Sequence, residues 1–581
     1  MNEKKKAVKF LQTMVQESSS YSSMEMIEGL VEKGLTLENI PLQPLYLALK
    51  LLSPSQVAEY LPRLSKQQRQ VVQDLDLWFK DDLCPDQFDF WIQSFAQVMD
   101  DDVRGEFAVG ESFLMYLKGR FNIWTFDQED PQYPDHDHYF LSDDGLLLFE
   151  FDEEYPYVSE VRAIIREIYA QLGVENAYTW LFKMVSESAL TFIEDEYQAK
   201  RARMSDVGIV DYFDALELDN PFINRSLMEG KIKKKDKLTH NIPQVSKEQV
   251  LPENALTSFI DNFGDLEDEL AKINDDSRLT YLRFNFLRLV NGNIALRGSF
   301  RDGAIAVNRA CEKTKNCILL GYDYLKSYAI PEKILEVDVS KDCVFYHFDF
   351  QEIFKIGNSL IRFLQGDLKK ALRFSKLEER SGFLGRTLNE FIDHTLDVPP
   401  KACLDPEGKA HSIIDYETYA QWEKRGRFII TFLPYVAKLF ESFRPLKVEG
   451  RIQDHFYTNY NVDEIDVEAI LLSSFANLIL IEEGLLSQDL LDKGKLGLTI
   501  SEFKNFCRLC LNQEGSLING IKEKFKGFKQ AFGLENVEGF DDYFLDLLRI
   551  QLVGYDFSNL EEHDFAHVGG PIILKSAKDY N

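Results

Sequence analysis

Apolar residues recur at helical spacing along most of the chain. Between Ser53 and Leu75 they fall at Val57, Ala58, Leu61 and Leu64, then at Val71, Val72 and Leu75, a spacing that turns one face of a helix toward a core. Each run opens on a start signal. Ser53-Pro54-Ser55-Gln56 combines a capping hydroxyl, a proline suited to the first helical position and a glutamine that closes a capping box. Ser65-Lys66-Gln67-Gln68 repeats the cap-x-x-Gln pattern, and Gln43-Pro44 and Cys84-Pro85-Asp86-Gln87 are weaker versions of it. Helices of two or three turns are not stable alone and must pack on their neighbours. The pattern therefore predicts a solenoid-like module of short helices over residues 1–100.

Helical patterning resumes at 158–172, where Val161, Ile164, Ile165 and Ile168 form one apolar face, and at 179–214. Further on, Leu279, Leu282, Phe286, Leu287 and Val290 share a face, and helices are expected at 301–315, 353–372, 419–440, 502–511, 520–532 and 541–553. Pro434 is expected to kink or end a turn. The most apolar stretch, 469–481, is too short to span a bilayer and reads as a buried core helix. Residues 146–151 suggest a short strand beside an acidic loop, 335–350 one or two short strands, and 571–574 a closing strand. Residues 220–256 have three prolines, weak periodicity and the basic run from Lys231 to Lys237, the pattern of a solvated linker or a segment that docks on an acidic face. The expected fold class is mainly α and multi-domain, with minor β elements. The divisions are 1–100 (short-helix module), 101–219 (mixed, mostly helical), 220–256 (linker), 257–485 (helical) and 486–581 (C-terminal helical segment).

Leu52-Ser53-Pro54-Ser55-Gln56-Val57-Ala58-Glu59-Tyr60-Leu61-Pro62 and the following Leu64-Ser65-Lys66-Gln67-Gln68 resemble the cytosolic N domain of bacterial magnesium transporters and the related helical modules of the flagellar rotor switch protein. That resemblance implies a docking module or a sensor of divalent cations, and carries no ligand position onto this chain. The segment from Asp74 to Trp78, Arg203-Met204-Ser205-Asp206-Val207-Gly208 and Gly569-Gly570-Pro571 resemble an uncharacterised family of large bacterial cytosolic proteins, which implies no activity.

Composition narrows the classes. Hydrophobic residues make up 45% of the 581 positions and charged residues 28%, a globular balance, and the 44 phenylalanines predict Phe-rich cores. The formal net charge of −30 repels nucleic acid and anionic membranes and suits protein partners or cations. Seven sparse cysteines in apolar contexts argue for a reducing compartment, and no apolar segment follows the basic residues 1–9. A cytoplasmic protein without a transmembrane segment is expected.

The phosphate-cradling glycine loop, the H-E-x-x-H helix, the EF-hand loop and the nucleophile elbow do not occur. Asp135, His136, Asp137 and His138 form the most metal-like cluster, with alternate residues able to share a face of an extended chain; a solvated acidic loop has the same composition. His563 and His567 stand four apart, but Gly569-Gly570-Pro571 follows at once. Cys507 and Cys510 have the spacing of a redox or zinc pair, yet sit with Phe503 and Phe506 on an amphipathic pattern and read as core residues. Glu194, Asp195 and Glu196, with Arg201 and Arg203, suggest helix-surface ion pairs or paired carboxylates. His347 reads as a core residue. The leading expectation is an interaction or regulatory protein that docks protein partners through helical modules. The alternatives are a metal-dependent, hydrolase-like enzyme using scattered carboxylates and histidines, and a divalent-cation sensor.

Overall fold

The computed structural model describes residues 23–32, 36–37, 40, 42–80, 82–186, 189–207, 209–235, 265–296, 304–335, 343–377, 381–403, 409–448, 465–489 and 496–566. Among these residues the architecture is mainly α, with small antiparallel sheets of two or three strands.

The described chain opens with α1 (Met24–Val31), α2 (Leu42–Leu49), α3 (Pro54–Tyr60) and α4 (Lys66–Leu77), followed by a hairpin of β1 (Trp78–Phe79) and β2 (Asp82–Leu83). Then come α5 (Pro85–Ala96), α6 (Asp101–Ala108), α7 (Glu111–Arg120), β3 (Asn122–Thr125), β4 (Tyr139–Leu141) and β5 (Leu147–Glu150). Next are α8 (Val158–Leu172), α9 (Val174–Ser186), α10 (Ala189–Asp206), α11 (Tyr212–Asp219), α12 (Arg225–Lys233), α13 (Asp265–Leu270), α14 (Asp276–Ala295), α15 (Ala304–Tyr324) and α16 (Phe350–Ser375). The remainder is α17 (Arg386–Leu396), a hairpin of β6 (Lys401–Cys403) and β7 (Ala410–Ser412), α18 (Tyr416–Val448), α19 (Val467–Glu482), α20 (Ile500–Cys510), α21 (Ile521–Phe532) and α22 (Phe540–Leu552). By contact the chain divides into two compact units. One comprises Met1–Asn220, Ile232–Leu319 and Glu336–Lys355, the other Pro221–Lys231, Leu320–Leu335 and Ile356–Asn581.

In the first unit the two expected capping boxes are present. Ser53 and Ser65 each accept from the backbone N–H three residues on, and Gln56 and Gln68 reach back to the cap N–H. The short helices of this region are joined by buried polar ties. Asp76 of α4 accepts from Tyr46 of α2 at 2.8 Å, from Lys50 at 2.9 Å and from the Trp91 indole of α5 at 2.8 Å. Fully buried carboxylates survive only when several donors replace their hydration. The face of Val161, Ile164, Ile165 and Ile168 is buried, as its spacing predicts.

The strand expected near residue 148 is β5, at the centre of a sheet ordered β3-β5-β4. Phe149 stands opposite both Ile123 and Phe140, whose ring stacks on it at 5.0 Å. At 335–350 the described part is not a strand: Val344–Tyr346 is a 3-10 turn and Phe350 opens α16. The buried Arg278 guanidinium claims the carbonyls of Phe345 and Phe348, acceptors that a strand ladder would need. The basic run begins inside α12, and Lys235 is ion-paired with Glu352 of the same unit. The rest of that linker, residues 236–256, and the closing strand at 571–574 lie outside the described residues.

In the second unit α19 is buried along nearly its whole length, as its apolar sequence predicts. Its Phe475 meets Phe506, Phe525, Phe528 and Phe544 edge-on at 5.1–6.0 Å, so this core is built from phenylalanines. Pro434 does not end its helix: α18 runs through it to Val448, with Phe432, Leu433 and Val436 buried on either side of the exposed proline. Burial of that face outweighs the one lost backbone hydrogen bond.

Candidate functional site: a polar cleft in the short-helix stack

A cleft of about 520 Å³ opens between α4, α6, α7 and the end of α8 in the first unit. That volume is in the range of small-molecule and side-chain pockets. Its walls are made by the same rules that build the stack. Gln68 looks like a surface residue, yet its amide points inward and donates to the carbonyls of Leu37 at 3.0 Å and Ile40 at 3.2 Å. One residue on, Arg69 turns toward the cleft. It donates to the carbonyls of Leu61 and Leu64, at the end of the turn before α4, and to the Glu106 carboxylate of α6. The helix-end carbonyls thus gain a donor, and α4 is tied to α6 by a charge-assisted bond. Lys66 stands 3.9 Å from the same carboxylate.

The floor is polar as well. Gln70 lies within 3.4 Å of both Asp74 and the Ser112 hydroxyl of α7, and Gln73 donates to the Arg69 carbonyl at 3.0 Å. At the start of α7 Gly110 offers no side-chain cap, and Glu111 places a carboxylate against the positive end of the helix, 3.8 Å from Lys183. On the far wall Gln171 of α8 lies flat over α6. A Cβ at Gly105 would come within 2.3 Å of its amide nitrogen, so only glycine allows this approach.

Beneath the floor sits a buried ion network. Arg203 of α10 binds Asp74 through two nitrogens at 2.8 and 3.0 Å and Glu196 at 2.5 Å. Burial pushes the Glu196 carboxyl above the usual range, the charges of Asp74 and Glu111 add to this, and Arg203 opposes it. Beside this network Lys200 pairs with Asp211 at 3.3 Å and lies 4.8 Å from the centre of the Tyr197 ring.

The structure distributes the sequence-derived candidates differently. Asp135, His136 and Asp137 are exposed and His138 half-buried before β4. His136 donates through Nε2 to the Glu150 carboxylate at 2.8 Å and accepts from the His138 backbone N–H at 3.2 Å through Nδ1. An accepting Nδ1 places the ring proton on Nε2, so both nitrogens are engaged. Among the described residues no group of three or more His, Cys, Asp or Glu side chains is disposed to hold a metal ion. His563 is exposed on a 3-10 turn, and His567 lies outside the described residues. Cys507 and Cys510 are buried on one face of α20, and burial pushes the Cys507 thiol up to about 12. His347 is buried, as expected. Of the acidic triplet only Glu196 enters the network, whereas Arg201 pairs with Asp214 at 2.5 Å. Arg69, Gln70, Glu106 and Ser112 carry no motif that marks them in the sequence. The available signal was a polar run, Gln67-Gln68-Arg69-Gln70, continued by Gln73 and Asp74 inside a helix whose apolar face is complete without it.

Fold and cleft together define a mainly helical protein whose first unit carries a polar, charge-lined groove between short helices. Residues 3–527 match the sequence profile described as "Family of unknown function (DUF6178)", and the chain belongs to that family. No curated protein and no solved structure matches it. No helix among the described residues is long and apolar enough to cross a membrane.

Proposed function

We propose that this chain is an interaction protein that docks a segment of a partner protein in the cleft between α4, α6, α7 and α8. The observation that supports this reading is how the lining is held. Arg69 is fixed by two carbonyls and Glu106, Gln73 by a backbone carbonyl, and the Ser112 hydroxyl faces the Gln70 amide. These groups are preorganised for recognition, since a bound segment meets polar atoms already in place. The nucleophile–base contact that would start a reaction is not what the Ser112 hydroxyl makes here. We place the protein in the cytoplasm, a reading supported by cysteines that stand as free thiols, all buried except the half-buried Cys84.

Photo-crosslinking in the full-length chain tests this. Benzoylphenylalanine at position 66 or 102, on the cleft rim, should give a discrete adduct in cells that make the protein. The same probe in place of the exposed Glu523 should not. Identical adducts from all three positions, or none from the rim, would sink the proposal.

A further inference from the structure

We propose that the Trp124 side of the β3-β5-β4 sheet, with the loop between β3 and β4, binds an arginine- or lysine-rich segment of a partner protein. This surface is separate from the cleft and does not depend on what the cleft holds. The strand register builds it. Side chains alternate along a strand, so the row of Trp124, Leu148 and Leu141 marks one side of the sheet, and the row of Ile123, Phe149 and Phe140 marks the other. The second side is core: Phe121 meets Phe140 and Phe149 edge-on, and Arg162 lies over the Phe140 ring. On the first side stand Phe126, two residues from Trp124, and Tyr139, two residues from Leu141. Tyr133 of the loop lays its ring against both, with centroids at 5.1 and 5.9 Å. The rings at this surface stay open to water, Trp124 at 36% and Tyr133 at 54% exposure.

Charge complementarity selects the occupant. Between Arg120 and Arg162 the sequence holds twelve aspartates and glutamates and no lysine or arginine. Asp127, Glu129, Asp130, Asp135 and Asp137, all exposed, lie on the loop that carries Tyr133. Among the described residues no lysine or arginine forms an ion pair with these five. The ion pairs of the neighbouring carboxylates are those of Asp143 with Arg166 at 3.5 Å and of Glu150 with His136. The loop carboxylates are spread from residue 127 to residue 137, which suits a row of cations on a chain over a single ion. Open aromatic faces attract guanidinium and ammonium groups, and the planar guanidinium also stacks on them. An arginine of the partner therefore rests on Tyr133 or Trp124 while a loop carboxylate accepts from its N–H groups. An acidic segment is repelled, and an apolar one leaves the carboxylates without a partner of opposite sign.

Fluorescence anisotropy with the purified full-length chain tests the proposal, in salt of about 0.15 M, where the general field of the protein is screened beyond about 8 Å. The probe is a short fluorescein-labelled peptide that alternates arginine and serine. Its twin carries citrulline, which keeps the shape and loses the charge. The arginine peptide should bind about tenfold more tightly than the citrulline peptide. Tyr133→Ser removes a ring and no charge, and should weaken binding of the arginine peptide about threefold, as should Trp124→Ser. If Trp124→Ser does not fold, Tyr133→Ser, at an exposed loop position, decides the matter. Asp130→Asn combined with Asp135→Asn should weaken binding further. The same charge removed by Glu535→Gln with Glu538→Gln, both exposed and ahead of α22, should leave it unchanged. No measurable binding of the arginine peptide overturns the proposal, as does equal affinity for its citrulline twin. So does full affinity in Tyr133→Ser, or an equal loss from the two carboxylate pairs, which would be the field of the whole chain. The crosslinking test of the cleft stands by itself, so either surface can fail without the other.

Discussion

The Glu468 carboxylate accepts a hydrogen bond from the backbone N–H of Thr387 at 2.9 Å, so a side chain of α19 closes the N-terminus of α17 from 81 residues away. Gly385, at the start of α17, has φ 79°, and a Cβ there would lie 2.6 Å from Glu468 Cδ. The Tyr543 hydroxyl of α22 lies 3.5 Å from the same carboxylate. One buried side chain therefore joins three helices of the second unit.

Stability should depend on pH through this group. Burial pushes the Glu468 carboxyl up to about 7, the Asp466 charge adds to this, and the N–H groups of Thr387 and Leu388 oppose it. Asp466 is itself raised by burial, and Tyr543 and Arg425 are the other titratable groups acting here, with Arg386 at the start of α17. A folded value above the ordinary carboxylate value of about 4.3 means the folded state holds the proton more tightly. The resulting stabilisation is complete below about pH 4.3 and lost as pH rises through about 7. Urea unfolding should show a loss of about 3 kcal/mol between about pH 5 and about pH 8. Glu468→Gln should flatten that slope; an unchanged slope in the variant would show that Glu468 is not its source.

Gly385→Ala should be costly. The substitution adds a Cβ where the left-handed φ is strained for an L residue and where the Glu468 carboxyl leaves no room. A loss of about 2–4 kcal/mol is expected from denaturant melts. A control at Gly484, also at positive φ but with nothing within 4 Å of its Cβ, should lose less.

Breaking the Arg203–Asp74 pair should destabilise the first unit more than any surface ion pair. The Asp74 side chain is 0% exposed, so Arg203→Met leaves a buried charge without its main partner. The expected cost is about 3–5 kcal/mol, and adding Asp74→Asn should recover part of it. Additive losses in the double variant would mean that the two residues are not coupled.

Ser65→Ala removes one hydroxyl from a capping box that starts α4, the helix carrying Arg69, Gln70 and Gln73 into the cleft. A loss of about 1 kcal/mol is expected. Affinity for a cleft ligand should fall as well if the register of α4 loosens, which calorimetry on the same variant would read.

Much of the helical architecture was legible because its determinants are local. A serine and a glutamine three residues apart make a capping box whatever surrounds them, so Ser53–Gln56 and Ser65–Gln68 stand in the structure as their spacing predicts. The face of Val161, Ile164, Ile165 and Ile168 follows from the helical period alone, and the apolar run of α19 could only be buried. Local rules misled where distant groups intervened. Arg278, nearly seventy residues earlier in the chain, takes the carbonyls that a strand at 343–350 would have used. The packing of α18 holds its helix through Pro434.

The candidate site was much less legible than the fold. The eye goes to Asp135, His136, Asp137 and His138 because their residue types suggest a metal, but residue type says nothing of where Glu150 will sit or which ring nitrogen it will engage. The cleft is made by residues whose types are ordinary, Gln70, Glu106 and Ser112, and whose meaning lies in being brought together. Sequence by itself determined the helices, their caps, their apolar faces and the negative charge of the chain, since each depends on neighbours a few positions apart or on composition. Tertiary structure alone decided that Asp74 meets Arg203 across 129 residues and that Glu468 caps α17. Those pairings arise from how buried faces pack, and a buried charge takes its partner from whichever helix the packing brings beside it.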